Sequence, residues 1–236
     1  MLIFSIAVSA LRAAFDRQAI TANNVANVST PGYRARRAHQ VESFGGGTEI
    51  NAVRRDESQG PLEATGRALD LAVSGQGYLA VDTPRGARYT RAGAFGVDAA
   101  GNIVDPAGNR LAPGFIVPPE AVAVEVSRSG ELAATMADGS RQVLGQLPLY
   151  TFANPGGLEA VGGGLYSPTA ASGPARPGTP GADGYGEVVA GFLEGSSVDL
   201  ARELTDQIVN RATVGANTAS IRAQNDMLGE ILDLKG

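Results

Sequence analysis

Leu69-Asp70-Leu71-Ala72-Val73-Ser74-Gly75-Gln76-Gly77-Tyr78-Leu79-Ala80-Val81 is the stretch in which the chain turns to short β-type runs. Leu69 to Val73 alternates, Ser74 to Gly77 has turn chemistry, and Tyr78 to Val81 opens a second run. Alternation sends successive side chains to opposite faces of a sheet, so two strands joined by a turn are predicted. Similar runs follow at Val122 to Val126, Glu131 to Met136 and Gln142 to Tyr150, with Arg128-Ser129-Gly130 and Asp138-Gly139 as turns. Pro148 has no amide hydrogen to give a ladder, which places the last run at a sheet edge. Asp98-Ala99-Ala100-Gly101-Asn102 recurs as Asp105-Pro106-Ala107-Gly108-Asn109, and both copies are expected to close hairpins. The expectation is an antiparallel β domain over residues 68–190, with 154–187, rich in Gly, Pro, Ser and Ala, as surface loops.

Working outward toward the N-terminus, residues 33–67 are basic at first, interrupted by Gly and of low periodicity. They read as an extended linker whose most flexible point is Gly45-Gly46-Gly47. Residues 2–26 contain no Gly or Pro and are rich in Ala, which predicts a helix roughly 38 Å long. Ile3, Ala7, Ala10, Leu11, Ala14 and Val25 share a face that Gln18 and Thr21 interrupt. Ser29-Thr30-Pro31-Gly32 ends the helix, so its segment is taken as 1–32. Toward the other end, Ser196-Ser197-Val198-Asp199 is an N-cap signal for a second helix within residues 191–236. Its apolar positions are Leu200, Leu204, Ile208, Ala212, Ile221, Leu228 and Ile231, thin in the middle where Thr213, Gly215, Asn217 and Thr218 sit. A helix that is apolar only in patches needs a partner. The expected fold is therefore mainly β, a central antiparallel domain flanked by N- and C-terminal helices that pair.

Composition narrows the function. The 236 residues include no Cys, so a disulfide framework and a thiolate site are excluded. A net charge of −5 argues against nucleic acid as a partner. No apolar run reaches the ~18 residues of a membrane span, and Met1 to Ala10 lacks the basic start and cleavage site of a signal peptide. Residues 1–60 carry seven Arg and five acids, whereas 191–236 carry four basic residues and seven acids, so the ends attract each other.

Residues that could carry chemistry read as ordinary structure. His39 is the single histidine and lies among Arg36, Arg37 and Gln40, a solvated position. Gly75-Gln76-Gly77 precedes a strand-like run where a dinucleotide loop requires a helix, so a turn is expected. The Asp98 and Asp105 turns lack the carboxylate pattern of a calcium loop. Glu120, Glu125 and Glu131 could be paired for hydrolysis only if a pocket made them converge. Arg34, Arg36, Arg37, Arg54 and Arg55 could meet an anionic partner. No catalytic, cofactor or metal residues are assigned, and no enzyme activity is expected.

Ala22-Asn23-Asn24-Val25-Ala26-Asn27-Val28-Ser29-Thr30-Pro31-Gly32-Tyr33 resembles the N-terminal signature of bacterial flagellar rod, hook and hook-associated proteins. Ala68 to Tyr78, Tyr89-Thr90-Arg91-Ala92-Gly93-Ala94-Phe95 and Asp98 to Asn102 are similar to that family's central β domain. Gly191-Phe192-Leu193-Glu194-Gly195-Ser196-Ser197-Val198-Asp199 resembles the segment entering its C-terminal helix. Gly145-Gln146-Leu147 and Phe152 to Leu158 resemble the rod members, the distal-rod type above all; the short linker and Asn210-Arg211-Ala212-Thr213-Val214 depart from that type and leave proximal-rod and hook-type paralogues open.

The resemblance implies a non-enzymatic axial subunit of the flagellar basal body, exported without signal cleavage and spanning the periplasm. It implies helical self-assembly into a hollow, torque-transmitting shaft. The partners it implies are further copies, other rod and hook subunits, and the surrounding rings. The expected assembly contacts are Ile3, Leu11 and Val25 against Leu204, Ile208, Leu228 and Ile231. Asn23, Asn24 and Asn27 are expected to hydrogen-bond between helices, and the linker arginines to meet acids on adjacent subunits. The rival readings are a secreted all-β hydrolase and a β-domain binding module.

Overall fold

The computed structural model describes residues 2–44 and 46–233, with side chains over 4–44 and 46–230. The chain forms two compact units. One gathers Met1–Val28, Ala35–Asp56 and Val198–Gly236; the other gathers Ser29–Arg34 and Glu57–Ser197. As the sequence pattern predicts, the protein is mostly antiparallel β, with a helix near each end of the chain, and the two helices pack on each other.

The first unit contains α1 (Leu2–Ala26), the hairpin of β1 (Arg36–Glu42) and β2 (Thr48–Arg55), and a second helix, Leu200–Asp233. The hairpin occupies residues expected to be an extended linker. Its turn is closed by Ser43 N donating to the Gly47 carbonyl (3.2 Å) and Gly46 N donating to the Ser43 carbonyl (3.0 Å). Gly46 and Gly47 both adopt positive φ in this turn; Gly45 lies outside the described residues. The hairpin is held by a helix far away in sequence, through Thr48 N donating to Ser9 Oγ (3.2 Å). Nothing in its own periodicity announces it.

The second unit is built from sixteen short strands. β3 (Leu62–Ala64) pairs with the last of them, and β4 (Leu71–Ser74), buried at Leu71, Ala72 and Val73, pairs with the one before it. β5 (Leu79–Thr83), β6 (Gly86–Thr90), β7 (Gly96–Val97), β8 (Ile103–Val104) and β9 (Arg110–Leu111) form most of a seven-stranded sheet. β10 (Ala121–Val126), β11 (Glu131–Met136) and β12 (Arg141–Gln146) form a three-stranded sheet. The run Gln142 to Tyr150 splits at Leu147-Pro148, so β12 is an edge strand and β13 (Leu149–Thr151) pairs elsewhere, with β16 (Arg176–Gly178). β14 (Glu159–Gly162) and β15 (Leu165–Ser167) extend the large sheet through β6, which corrects the reading of 154–187 as loops throughout. β17 (Glu187–Ala190) and β18 (Phe192–Glu194) complete the pairs with β4 and β3.

Two apolar clusters hold this unit. Leu71, Val73, Leu79, Val81, Phe95, Ile103, Leu111, Leu132, Leu147 and Leu149 belong to the larger. Tyr78, Tyr89, Phe152, Leu158 and Tyr166 make the smaller, with edge-to-face rings such as Tyr89–Phe152 at 4.9 Å between centroids. The Asp-x-x-Gly-Asn repeat closes hairpins twice by the same means. Asp98 Oδ1 accepts from the Ala100 and Asn102 amides (both 2.8 Å), Oδ2 accepts from Asn102 Nδ2 (2.8 Å), and Gly101 takes the left-handed position. Asp105, Ala107, Gly108 and Asn109 repeat this arrangement.

Candidate functional site

Asp199 caps the second helix, α2 (Leu200–Asp233): its Oδ1 accepts from Arg202 N (3.2 Å), and its carbonyl accepts from Glu203 N (3.0 Å). Seven residues separate Ala7, Ala14 and Thr21 on α1, and all three are buried. On α2, Glu203 and Asn210 are buried at the same spacing, and Asn217 and Gln224 continue it half-buried. A seven-residue repeat keeps one seam of each helix facing the other.

Two cross-helix hydrogen bonds set the register. Asn24 Nδ2 donates to Glu203 Oε1 (2.9 Å), and Arg17 Nε donates to Asn210 Oδ1 (2.7 Å). Moving down α1 moves up α2, so the pair is antiparallel, and the next step sets Ala10 against Asn217. The seam is small on one side and polar on the other, and alanine lets the two backbones approach closely.

Asn24, 1% exposed, is the junction of this unit. Its Oδ1 accepts from Arg36 N (2.9 Å), and its Nδ2 donates to the Arg36 carbonyl (2.8 Å) as well as to Glu203. One amide thus ties the end of α1 to the start of β1 and the first turn of α2. Arg17 does the same farther along by donating to Gln40 Oε1 (2.7 Å).

The seam inside the chain is formed by residues other than the expected assembly contacts. The stretch that reads as thin in apolar residues faces α1: Thr213, Val214, Asn217, Thr218 and Ile221 are half-buried. The apolar stripe faces away, with Leu200, Leu204, Ile208 and Leu228 exposed, Ile208 to 70%. Within the chain, Leu11 and Val25 are half-buried, so the expected contacts with Leu204, Ile208 and Leu228 do not form the helix pair. Thr21 belongs to the buried face instead of interrupting it. Ile3 and Ile231 lie outside the residues whose side chains are described. Of the asparagines, Asn24 bridges the helices, and Asn27, just past the end of α1, donates through Nδ2 to the Asn23 carbonyl (2.8 Å).

The two sides of the pair differ. On one, a groove of about 450 Å3 is lined by Ala14, Phe15, Gln18, Ile208 and Val214, among others, with Phe15 61% exposed. On the other, a groove of about 440 Å3 lies between α1, α2 and β1 and is lined by arginines. Phe4 and Phe15 are exposed aromatics the sequence reading passed over; their signal was an aromatic on the polar face of an alanine-rich helix.

The second unit holds the turn that follows α1. Tyr33 N donates to the Thr30 carbonyl (3.2 Å) with Gly32 at φ +67, and Gly32 N donates to the Glu194 carbonyl (2.7 Å). Beside it lies a buried ionic triad. Glu194 Oε1 meets Arg34 Nη2 at 2.9 Å and Oε2 meets Arg91 Nη1 at 3.2 Å, with Arg34 and Glu194 no more than 2% exposed. Arg91 also donates to the Val73 and Gly75 carbonyls (3.1 and 2.7 Å). Burial pulls the Arg91 guanidinium below its ordinary value, and Glu194 opposes that shift. Sequence reading found Arg34 and Glu194 only as parts of separate motifs.

The remaining candidates keep structural roles. His39 is exposed on β1. Gly75 and Gly77 take positive φ before β5, a turn, with no helix following. A cleft of about 900 Å3 beside β7 and β10 has Asp98 as its one carboxylate. The hydrogen bond from Asn102 holds that carboxyl below its ordinary range, so it suits a turn better than proton donation. Glu131 pairs with Arg141 at 2.7 Å.

Comparison with known proteins agrees along the chain. Residues 4–34 match the family described as "Flagella basal body rod protein". Residues 72–134 match "Flagellar hook protein FlgE/F/G D1 domain", and 189–234 match "Flagellar basal body rod FlgEFG protein C-terminal". The flagellar basal-body rod protein FlgG of Agrobacterium fabrum is 34% identical over 234 residues, covering 88% of this chain and 89% of the relative. FlgG of Bacillus subtilis is 33% identical, covering 92% of each. The flagellar hook protein FlgE of Salmonella typhimurium is 34% identical over 136 residues, 58% of this chain and 32% of the hook protein.

Proposed function

Because the chain belongs to the flagellar basal-body rod protein family, we propose that it polymerises helically, through the outer faces of its helix pair, into a hollow, torque-transmitting rod. The observation that carries this reading is the outward apolar stripe. α2 shows solvent Leu200, Leu204 and Ile208, one turn apart, while Glu203 and Asn210 are buried and hydrogen-bonded to α1. Exposed apolar side chains at helical spacing gain about 1.5–3 kcal/mol each when a neighbour covers them. The role is structural and non-catalytic. Nearly full-length matches to FlgG, against a partial match to the hook protein, favour a rod slot over a hook slot. On this reading the partners are further copies, adjoining rod and hook subunits and the surrounding rings, and the subunit reaches its place without signal cleavage.

Sedimentation and electron microscopy of the full chain test the proposal. The wild-type chain is expected to form sedimentable tubes above a critical concentration. Leu204→Asp and Ile208→Asp are expected to fold normally yet raise that concentration roughly tenfold or more. A wild-type chain that stays monomeric, or variants that polymerise equally well, would sink it.

A further inference from the structure

The helix-pair unit is two-ended in charge. At one end the groove between α1, α2 and β1 is lined by Arg17, Arg36, Arg37 and Arg202, against Glu203 and Asp206. Glu203 is already engaged by Asn24, Arg17 by Asn210 and Gln40, and Arg37 lies 3.5 Å from Asp56. Arg36 and Arg202 are exposed, and among the described residues their guanidinium groups make no bond. The ribbon register adds to the positive field by setting Arg36 opposite Arg55 and Arg37 opposite Arg54. Like charges directly across a ribbon oppose its pairing.

The other end has the reverse character. From Gln224 to Asp233, α2 carries Asp226, Glu230 and Asp233 and no basic residue. Acids in the last turns oppose the helix dipole. Met227 and Leu228 are exposed there. Each end therefore works against the isolated unit, and each has what the other lacks.

We infer that the acidic turns of α2 around Asp226 and Glu230 seat in the arginine-lined groove of a second copy, facing Arg36 and Arg202. Met227 and Leu228 pack against Ile20 and Val209 of that groove. The inference rests on the reading of the chain as a polymerising subunit and specifies one contact of that polymer. The two patches sit about 33 Å apart along one helix, counted from Asp206 to Leu228. A contact between different patches of identical chains does not close on itself, so it propagates as a line of subunits.

The test is a charge swap in the full chain, read as the critical concentration for sedimentation, with circular dichroism checking the fold. Glu230→Lys alone, and Arg36→Glu with Arg202→Glu, are each expected to raise the critical concentration about tenfold or more. The chain carrying all three changes is expected to recover to within about threefold of wild type, and added salt to weaken wild-type assembly. Wild-type polymer with unaffected variants overturns this contact alone. Loss with the arginine changes but no rescue by Glu230→Lys overturns it as well, because the groove then holds something else. A wild-type chain that stays monomeric overturns both this contact and the assembly reading.

Discussion

Gly32 and Glu194 show how single residues carry the segment after α1. Gly32 sits at φ +67, and a Cβ there would stand 2.6 Å from the Arg91 carbonyl carbon and the Ala92 nitrogen. Gly32→Ala therefore combines left-handed strain with overlap, and a loss of about 2 kcal/mol or more is expected in urea unfolding. Gly66→Ala is the comparison, since Gly66 has φ +73 with open space around it and should lose only about 1 kcal/mol. Equal losses would mean the overlap is relieved by movement. Glu194→Gln leaves two buried guanidiniums against a neutral group, although the hydrogen bonds can persist. A loss of about 3–5 kcal/mol is expected; less than about 1 kcal/mol would show that water reaches the triad.

At the scale of elements, the helix pair depends on alanine. Ala14 is fully buried on α1, facing α2 near Asn210 and Val214. Ala14→Leu should push the helices apart and lose about 1–3 kcal/mol even though leucine favours the helix more than most residues. Unchanged stability would show that the seam is looser than the cross-helix bonds imply. The aromatic cluster of β5, β6 and β13 gives a pH prediction. Burial is the first cause raising both the Tyr89 and the Tyr150 phenol above the ordinary value of 10.0, and Asp82 adds to each shift. A raised folded value means the folded chain holds the proton more tightly than the unfolded one. The contribution is whole below pH 10 and declines as pH rises through the folded values. Tyr89→Phe should flatten the alkaline arm of a stability-against-pH curve; an unchanged arm would place the lability elsewhere.

Across the molecule, protection should follow burial. Strands β4, β5 and β11 are buried along much of their length, whereas the last turns of α2 leave Met227 and Leu228 in solvent. Amide hydrogen exchange on the monomer should therefore show the slowest sites in those strands and fast exchange beyond Gln224. The distal turns of α2 should become protected in the polymer. Distal turns already protected in a monomer would argue that this end is complete without a neighbour.

The sequence by itself determined the elements whose causes are local. The 25-residue α1 follows from an unbroken helix-forming run stopped by Thr30-Pro31-Gly32. The Asp-x-x-Gly-Asn turns follow from side-chain bonds spanning four residues, and β4, β5, β10 and β11 follow from alternation and turn residues. The family motif was legible for the same reason, as a contiguous string. Only the tertiary structure decided which face of each helix is inside. Counting apolar residues marks Leu204 and Ile208 as contact positions but does not say whether they face the partner helix or a neighbouring copy, and the structure leaves them outside the seam. The seam instead belongs to Asn24, Glu203, Arg17 and Asn210, because buried polar groups demand specific partners and those partners lie far apart in the chain. The hairpin at 36–55 and the Arg34–Glu194–Arg91 triad escaped for that reason too, since each is held by residues that no local pattern brings together.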